Sequence, residues 1–280
     1  MKKTIFILLL SGISVWGNAQ NVVTTQNRTI LVNDQPYYIR GICYNPIKIG
    51  ETRTNMLDFS HIDTDIALMK KACINTVRFY EPFDDTAIFS KFANAGIKLI
   101  INFPNYDDTK LYVDISSGSY LDYIKKYMDN PAVLMWELGN EYNYHPEWFN
   151  NDVNNWYTIL NNAADQIHSI DPNHPVSTAN GEVPSSAELA ACPNVDVWGL
   201  NVYEWDDPSG VAPKFDALST KPFYLSETGT DRFDNNAGQE DDAAQAKAEF
   251  KIINTMLGDS NNSGLFIFEF ADEWWKVHRT

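Results

Sequence analysis

Short apolar runs alternate along most of the chain with longer stretches in which apolar residues recur every three or four positions. The short runs predict eight buried strands, at residues 39–44, 76–80, 98–103, 133–138, 175–178, 195–201, 223–227 and 264–270. The longer stretches predict helices, of which the clearest are at residues 62–72, 87–95, 120–127, 153–170 and 243–257. This alternation is typical of a parallel sheet wrapped by helices.

Eight strand–helix units within roughly 250 residues predict an α/β fold, the (β/α)₈ or TIM barrel. Only ten residues follow Phe270, so the last helix is expected to be curtailed. Ahead of the first barrel strand, residues 29–39 predict a short hairpin with Asn33 and Asp34 at its turn. A hairpin in this position can plug one end of the barrel.

The first 19 residues have the pattern of a secretory signal peptide. Two lysines precede an apolar run at residues 5–10, and the segment closes with small residues at Ala19, where cleavage is expected. A membrane anchor is the alternative, but Ser11 and Gly12 interrupt a stretch that falls short of the roughly 20 residues needed to span. We therefore expect a secreted or periplasmic protein with no membrane-spanning segment, in which residues 20–280 form a single catalytic domain.

Composition narrows the class of ligand. With 44% hydrophobic and 21% charged residues the chain should fold around a substantial core. Its formal net charge of −16 argues against nucleic acid, because phosphate binding needs a basic surface. The histidines lack metal-ligand spacing and no phosphate-binding loop follows a strand, so neither a metal nor another cofactor is expected. Cys43 and Cys73 either pair in an oxidising compartment or remain free thiols.

Two glutamates stand at positions where barrel enzymes carry their chemistry. Glu141 follows the fourth predicted strand and Glu227 ends the seventh, so both should lie at the carboxyl-terminal mouth of the barrel. A glycosidase uses two carboxyl groups that flank the bond it cleaves. One is protonated and assists the leaving group, and the other is ionised. The alternative is that both are ordinary loop carboxylates among 37 acidic residues.

The motifs around these glutamates resemble those of the retaining β-glycosidases of clan A, which are TIM barrels. Gly139-Asn140-Glu141 after strand four and Ser226-Glu227 at the end of strand seven carry the resemblance. It implies that Glu141 is the general acid/base and Glu227 the nucleophile.

Three further roles follow from the resemblance. Asn140 would bind the sugar 2-hydroxyl, Arg78 on strand two would support the nucleophile, and Tyr203 after strand six would donate a hydrogen bond to it. A cation and a phenol beside Glu227 would keep that carboxylate ionised. A structural salt bridge for Arg78 and a packing role for Tyr203 are the alternatives.

Within the clan, the segment after strand eight is similar to family 17 and family 72 β-1,3-glucanases and glucanosyltransferases. By that similarity Glu273 and Lys276 would contact sugar hydroxyls. Trp274 and Trp148 are candidate stacking platforms for sugar rings, since a pyranose has an apolar face.

The sequence thus predicts a retaining endo-β-1,3-glucanase that acts on a polysaccharide or oligosaccharide. Three alternatives stay open: a β-1,3-glucanosyltransferase, a hydrolase of another β-linked glycan such as mannan or galactan, and a glycan-binding barrel without turnover.

Overall fold

The computed structural model describes residues 21–52, 57–107, 109, 111–234 and 236–273. Its strands are β1 Val23–Gln26, β2 Thr29–Val32, β3 Gln35–Tyr37, β4 Ile39–Cys43, β5 Thr76–Phe79, β6 Lys98–Phe103, β7 Val133–Asn140, β8 Val176–Gly181, β9 Val197–Asn201, β10 Phe223–Thr228, β11 Phe233–Asp234, β12 Gln239–Glu240 and β13 Gly264–Ile267. Its α-helices are α1 Ile62–Lys71, α2 Thr86–Ala95, α3 Ser119–Tyr127, α4 Val153–Ile170, α5 Ser186–Ala191, α6 Val211–Asp216 and α7 Asp242–Gly258.

Eight of these strands close into a parallel barrel. β4 to β10 pair in chain order, and β13 lies between β10 and β4 to complete the ring. The predicted (β/α)₈ barrel is therefore confirmed. β7 and β8 extend two or three residues beyond their predicted ends, because polar residues there still pair: Asn140 lies opposite Ala179, and Gly181 opposite Asn201.

The five predicted helices are present, while α5 and α6 were not predicted because six residues are too few to show a helical period. Residues 268–273, the described residues that follow β13, contain no helix, and the rest of the predicted last unit lies outside the described residues. No helix in the described part of the chain is both long and apolar enough to cross a bilayer.

The predicted hairpin is β2 and β3, and β1 joins it in a three-stranded antiparallel sheet. This sheet covers the end of the barrel where the parallel strands begin. The backbone N–H of Val23 donates to the carbonyl of Asn173, ahead of β8, at 2.8 Å. Ile30 is fully buried and belongs to the same apolar cluster as Leu134 and Phe266 of the barrel strands. One end of the barrel is thus closed, which leaves the other for a site.

The cysteines do not pair. Cys43 is buried inside the barrel, Cys73 is exposed beyond α1, and Cys192 is buried; all three are free thiols. Cys43 and Cys73 therefore form no disulfide in this structure.

Candidate active site

The end of β7 has an irregular backbone that brings two of its side chains to one place. Glu137 and Asn140 are three residues apart, a spacing that in a regular strand points side chains to opposite faces. Here Gly139 has a φ of +69° and the register with β8 shifts between Glu137 and Asn140. A Cβ on Gly139 would lie 2.5 Å from the ring of Trp156, so only glycine fits. Both side chains consequently reach Arg78.

Arg78 of β5 is the centre of this arrangement and is fully buried. Its Nη1 donates to Oε1 of Glu227 at 3.0 Å, its Nη2 to Oδ1 of Asn140 at 2.7 Å, and its Nε to Oε1 of Glu137 at 2.8 Å. Burial by itself lowers the pKa of the guanidinium, but the neighbouring carboxylates, Glu137 first, raise that pKa well above its usual range. Arg78 is therefore a permanent cation inside the barrel.

Glu227 of β10 accepts hydrogen bonds from three side chains and is only 7% exposed. Oε1 accepts from Arg78 and from the Tyr80 hydroxyl at 2.8 Å, while Oε2 accepts from the Tyr203 hydroxyl at 2.9 Å. The Arg78 guanidinium also lies 4.5 Å from the centre of the Tyr80 ring. Burial, and then the charge of Glu227, raise the pKa of the Tyr203 phenol, so it stays a donor. Donors of this kind favour an ionised carboxylate.

Glu141 has different surroundings. It follows β7 with a left-handed φ of 56°, and its backbone N–H donates to the carbonyl of Ala179 at 2.8 Å. Oε1 accepts one hydrogen bond, from Nδ2 of Asn201 at 3.1 Å. Burial raises the pKa of the Glu141 carboxyl, and the negative charge of Glu227 raises it further. A carboxyl with a raised pKa keeps its proton to a higher pH than an ordinary glutamate does, and it can give that proton to a leaving group.

Asn201, at the end of β9, ties these groups together. Its Nδ2 also lies 3.2 Å from Oδ1 of Asn140, and its Oδ1 accepts from the Ser226 hydroxyl at 2.6 Å. The amide is thereby fixed with its donor end toward Asn140 and Glu141.

A cavity of about 550 Å³ opens beside Glu141. His145 and Trp148 line it as a stacked pair, with ring centres 3.8 Å apart and planes 8° from parallel. Trp148 is 58% exposed, and Tyr106 on the facing loop is 72% exposed. Large aromatic faces held open to solvent beside a carboxyl suit a sugar chain.

A second cavity, of about 680 Å³, lies beyond the ends of β4 and β13 and includes Tyr44, Phe270 and Asp272 in its wall. Asn45 is also in this wall, and its Nδ2 lies 3.5 Å from Oε1 of Glu273. Of the two cavities, the first is the one that Glu141 lines.

The structure brings five of the predicted site residues into one hydrogen-bonded group: Arg78, Asn140, Glu141, Tyr203 and Glu227. Trp148 lines the adjoining cavity and Glu273 lies near the second one. Trp274 and Lys276 lie outside the described residues, as does the segment 1–19 predicted as a signal peptide.

The group also contains side chains that were not predicted as site residues, among them Tyr80, Asn102, Glu137, Asn201 and Tyr224. Tyr80 carried a usable signal, since it stands two residues after Arg78 and alternate strand residues share a face. Glu137 also carried a signal, a charged residue within an apolar strand: it lies in the regular part of β7, opposite Asn102, and the irregular backbone at Gly139 displaces Asn140 instead.

No group of three or more histidine, cysteine or acidic side chains within the described residues is arranged to hold a metal ion.

Known proteins resemble this chain in sequence and in fold. The chain is 30% identical to the mannan endo-1,4-β-mannosidase F of Aspergillus clavatus, over 42% of this chain and 35% of that protein. The Aspergillus fumigatus protein of the same name is 29% identical over the same shares. The matched region thus spans about a third of these relatives. No protein-family model matches.

Solved structures show the fold over nearly the whole chain. A family 2 β-galacturonidase from Eisenbergiella tayi superposes with a TM-score of 0.70 and 17% identity, covering 92% of this chain and 49% of that one. A β-glucuronidase from Faecalibacterium prausnitzii gives a TM-score of 0.68 at 20% identity, covering 90% and 45%. The chain therefore has the barrel fold found in these glycosidases, and its partial sequence similarity is to mannosidases.

Proposed function

We propose that this protein is a retaining β-glycan hydrolase in which Glu227 is the nucleophile and Glu141 the general acid/base. One observation carries the proposal: the two carboxyls have opposite surroundings. Three donors, one of them a buried cation, hold Glu227, whereas Glu141 accepts one described side-chain hydrogen bond and has a raised pKa. Such a division separates an ionised nucleophile from a protonated acid.

In the first step Glu227 attacks the anomeric carbon while Glu141 gives its proton to the departing glycosidic oxygen. Oε1 of Glu227 is occupied by Arg78 and Tyr80, but Oε2 accepts only from Tyr203 among the described side chains, so Oε2 has a lone pair for the new bond. The carbon–oxygen bond breaks and a glycosyl–enzyme ester forms.

In the second step Glu141, now a carboxylate, takes a proton from water as the water oxygen attacks the anomeric carbon. The ester bond to Glu227 breaks, and two inversions leave the sugar with its original configuration. Transfer to a sugar hydroxyl in place of water would use the same intermediate. Asn140 accepts from Arg78 and Asn201 through Oδ1, which orients its amino group as the donor for the sugar 2-hydroxyl.

We propose β-1,4-mannan as the substrate, since the relatives matched in sequence are named as mannan endo-1,4-β-mannosidases. β-1,3-Glucan is the second candidate, favoured by the resemblance of the strand-eight segment with Glu273, Trp274 and Lys276. The stacked pair of His145 and Trp148 stands beside Glu141, so it would bind the leaving-group side of the chain. Substrates of this kind fit an exported protein, as the pattern of residues 1–19 suggests.

The test is a panel of polysaccharides at equal concentration: mannan, galactomannan, laminarin, lichenan, xylan and galactan. We expect fastest release of reducing ends from the mannans, with the new reducing end first appearing in the β-configuration by NMR. Glu227→Gln, which keeps the shape of the site, is the inactive control. Faster release from laminarin would move the substrate to β-1,3-glucan. An inverted product, or no turnover on any glycan, would reject the mechanism.

A further inference from the structure

A third carboxylate lies beneath the two proposed catalytic glutamates. Glu137 of β7 is fully buried inside the barrel. Its Oε1 accepts from Nε of Arg78 and from Nδ2 of Asn102, each at 2.8 Å, and its Oε2 accepts from the Tyr224 hydroxyl at 2.6 Å. Both oxygens are thus engaged by protein, and neither is available to a substrate.

Burying a carboxylate is costly unless it meets a cation and enough donors. Glu137 meets both, but its cation is also the one that holds Glu227. Nε and Nη2 of Arg78 each lie 2.8 Å from Oε1 of Glu137, and Nη1 lies 3.0 Å from Oε1 of Glu227. Because a guanidinium is planar and rigid, fixing its Nε–Nη2 edge fixes the direction in which Nη1 points.

We propose that Glu137 is a positioning residue for the nucleophile. It holds the plane of Arg78 so that a single N–H reaches Oε1 of Glu227 and Oε2 is left for attack. The negative charge of Glu137 also attracts the Arg78 guanidinium, which keeps the guanidinium from pairing with both oxygens of Glu227. This inference rests on the proposed retaining mechanism, because it concerns the step in which Glu227 attacks.

A second feature agrees with this role. Asn102 donates to Glu137 and, with the same amino group, to the carbonyl of Gly139 at 2.8 Å. The anchor of Arg78 is therefore tied to the irregular backbone that places Asn140 and Glu141. Glu137 is thus connected, through Asn102, to the turn that carries two of the proposed site residues.

The test separates nucleophile attack from the rest of the reaction. A 2-deoxy-2-fluoro-β-mannobiosyl fluoride, or its laminaribiosyl counterpart, leaves its sugar on the nucleophile, and intact-protein mass spectrometry follows the labelling. We expect Glu137→Gln to be labelled about 10- to 100-fold more slowly than wild type, the effect of weakening a charged hydrogen bond. kcat on polysaccharide should fall in parallel, with KM within about twofold because no sugar contact is lost.

Asp171→Asn is the matched control. Asp171 is an equally buried carboxylate that accepts from Nε1 of Trp136 at 2.7 Å and pairs with His174 at 2.9 Å, near the closed end of the barrel. It should lose thermal stability but be labelled at the wild-type rate. Tyr224→Phe, which removes one donor from Glu137 and adds no new group, should slow labelling by about two- to tenfold and serves if Glu137→Gln does not fold.

Labelling of folded Glu137→Gln, or of Tyr224→Phe in its place, at the wild-type rate would overturn the positioning role. Equal slowing in Asp171→Asn would also overturn it, because the effect would then follow from stability alone. A different result, wild-type protein that takes up neither fluoride and hydrolyses no glycan, would reject the proposed function itself.

Discussion

The two ends of the barrel are built from the same strands and use buried groups in opposite ways. At the closed end, Val23 and Ile30 fill the opening with apolar side chains, and the buried Asp171 is paired with its near neighbour His174. At the open end the barrel buries Arg78 and draws carboxylates from different strands around it.

Apolar burial and charge burial therefore have different effects at the two ends. Apolar packing at the closed end contributes free energy of folding without directing any group toward the mouth. Charge burial at the open end sets the surroundings of Glu141 and Glu227. Variants at the two ends should therefore separate stability from activity.

The largest expected effect is at the open end. Glu227→Ala should lower kcat by about 10⁴-fold or more, because the proposed covalent step would lose its nucleophile. Added azide should restore turnover with an inverted glycosyl azide as product. Glu141→Ala should instead keep reactivity toward glycosides with good leaving groups, and azide should give the retained product. NMR of the products checks both, and an exchange of the two behaviours would reverse the assigned roles.

At the closed end, Ile30→Ala should cost about 2 to 5 kcal/mol of folding free energy through the cavity it leaves. Thermal unfolding followed by circular dichroism should show a midpoint lower by roughly 4 to 15 °C. kcat per folded molecule should not change, as judged against Val22→Ala, an exposed neighbour. A large fall in kcat at a temperature where the protein is folded would show that the two ends are coupled.

Removing one hydrogen-bond donor from Glu227, the proposed nucleophile, should have an intermediate effect. Tyr203→Phe and Tyr80→Phe should each lower kcat/KM by about 10- to 100-fold, since each deletes a hydrogen bond to a charged group. Tyr37→Phe is the control at the closed end, where the hydroxyl donates to the Asn75 carbonyl at 2.9 Å. It should alter the unfolding midpoint only, and a full loss of activity there would contradict the comparison.

The smallest effect is a gain of stability. The pKa of Glu141 is raised in the folded protein, so folding is most favoured where this carboxyl is protonated and loses that advantage as pH rises through the raised pKa. Glu141→Gln carries no charge and should unfold about 1 to 3 °C higher than wild type near pH 7. Near pH 3.5 the two midpoints should agree. A gain of equal size at both pH values would point to packing as its cause.

The sequence was sufficient to predict the barrel, because eight apolar runs and the helices between them carry strong periodic signals. It also placed Glu141 and Glu227 at one mouth, since parallel strands end on the same side. It could not reveal the contacts of Glu137, because its hydrogen-bond partners come from three other strands of the barrel.

Periodicity also missed two helices and three strands. α5, α6 and the two-residue strands β11 and β12 are too short for a period to show. β1 is polar on its outer positions, with only Val23 buried. The substrate is likewise beyond such patterns: the motif after strand eight pointed to β-1,3-glucan, whereas the sequence relatives are named as mannosidases.

The three-stranded sheet has a practical consequence for handling the protein. Asn21 enters the fold beside Pro131, whose carbonyl accepts from the Asn21 amide at the base of β7. A linker joined ahead of Asn21 therefore leaves from the face opposite the glutamates. Immobilised through such a linker on a resin or a sensor chip, the molecule would present its open mouth to the solution, where long glycan chains can reach it.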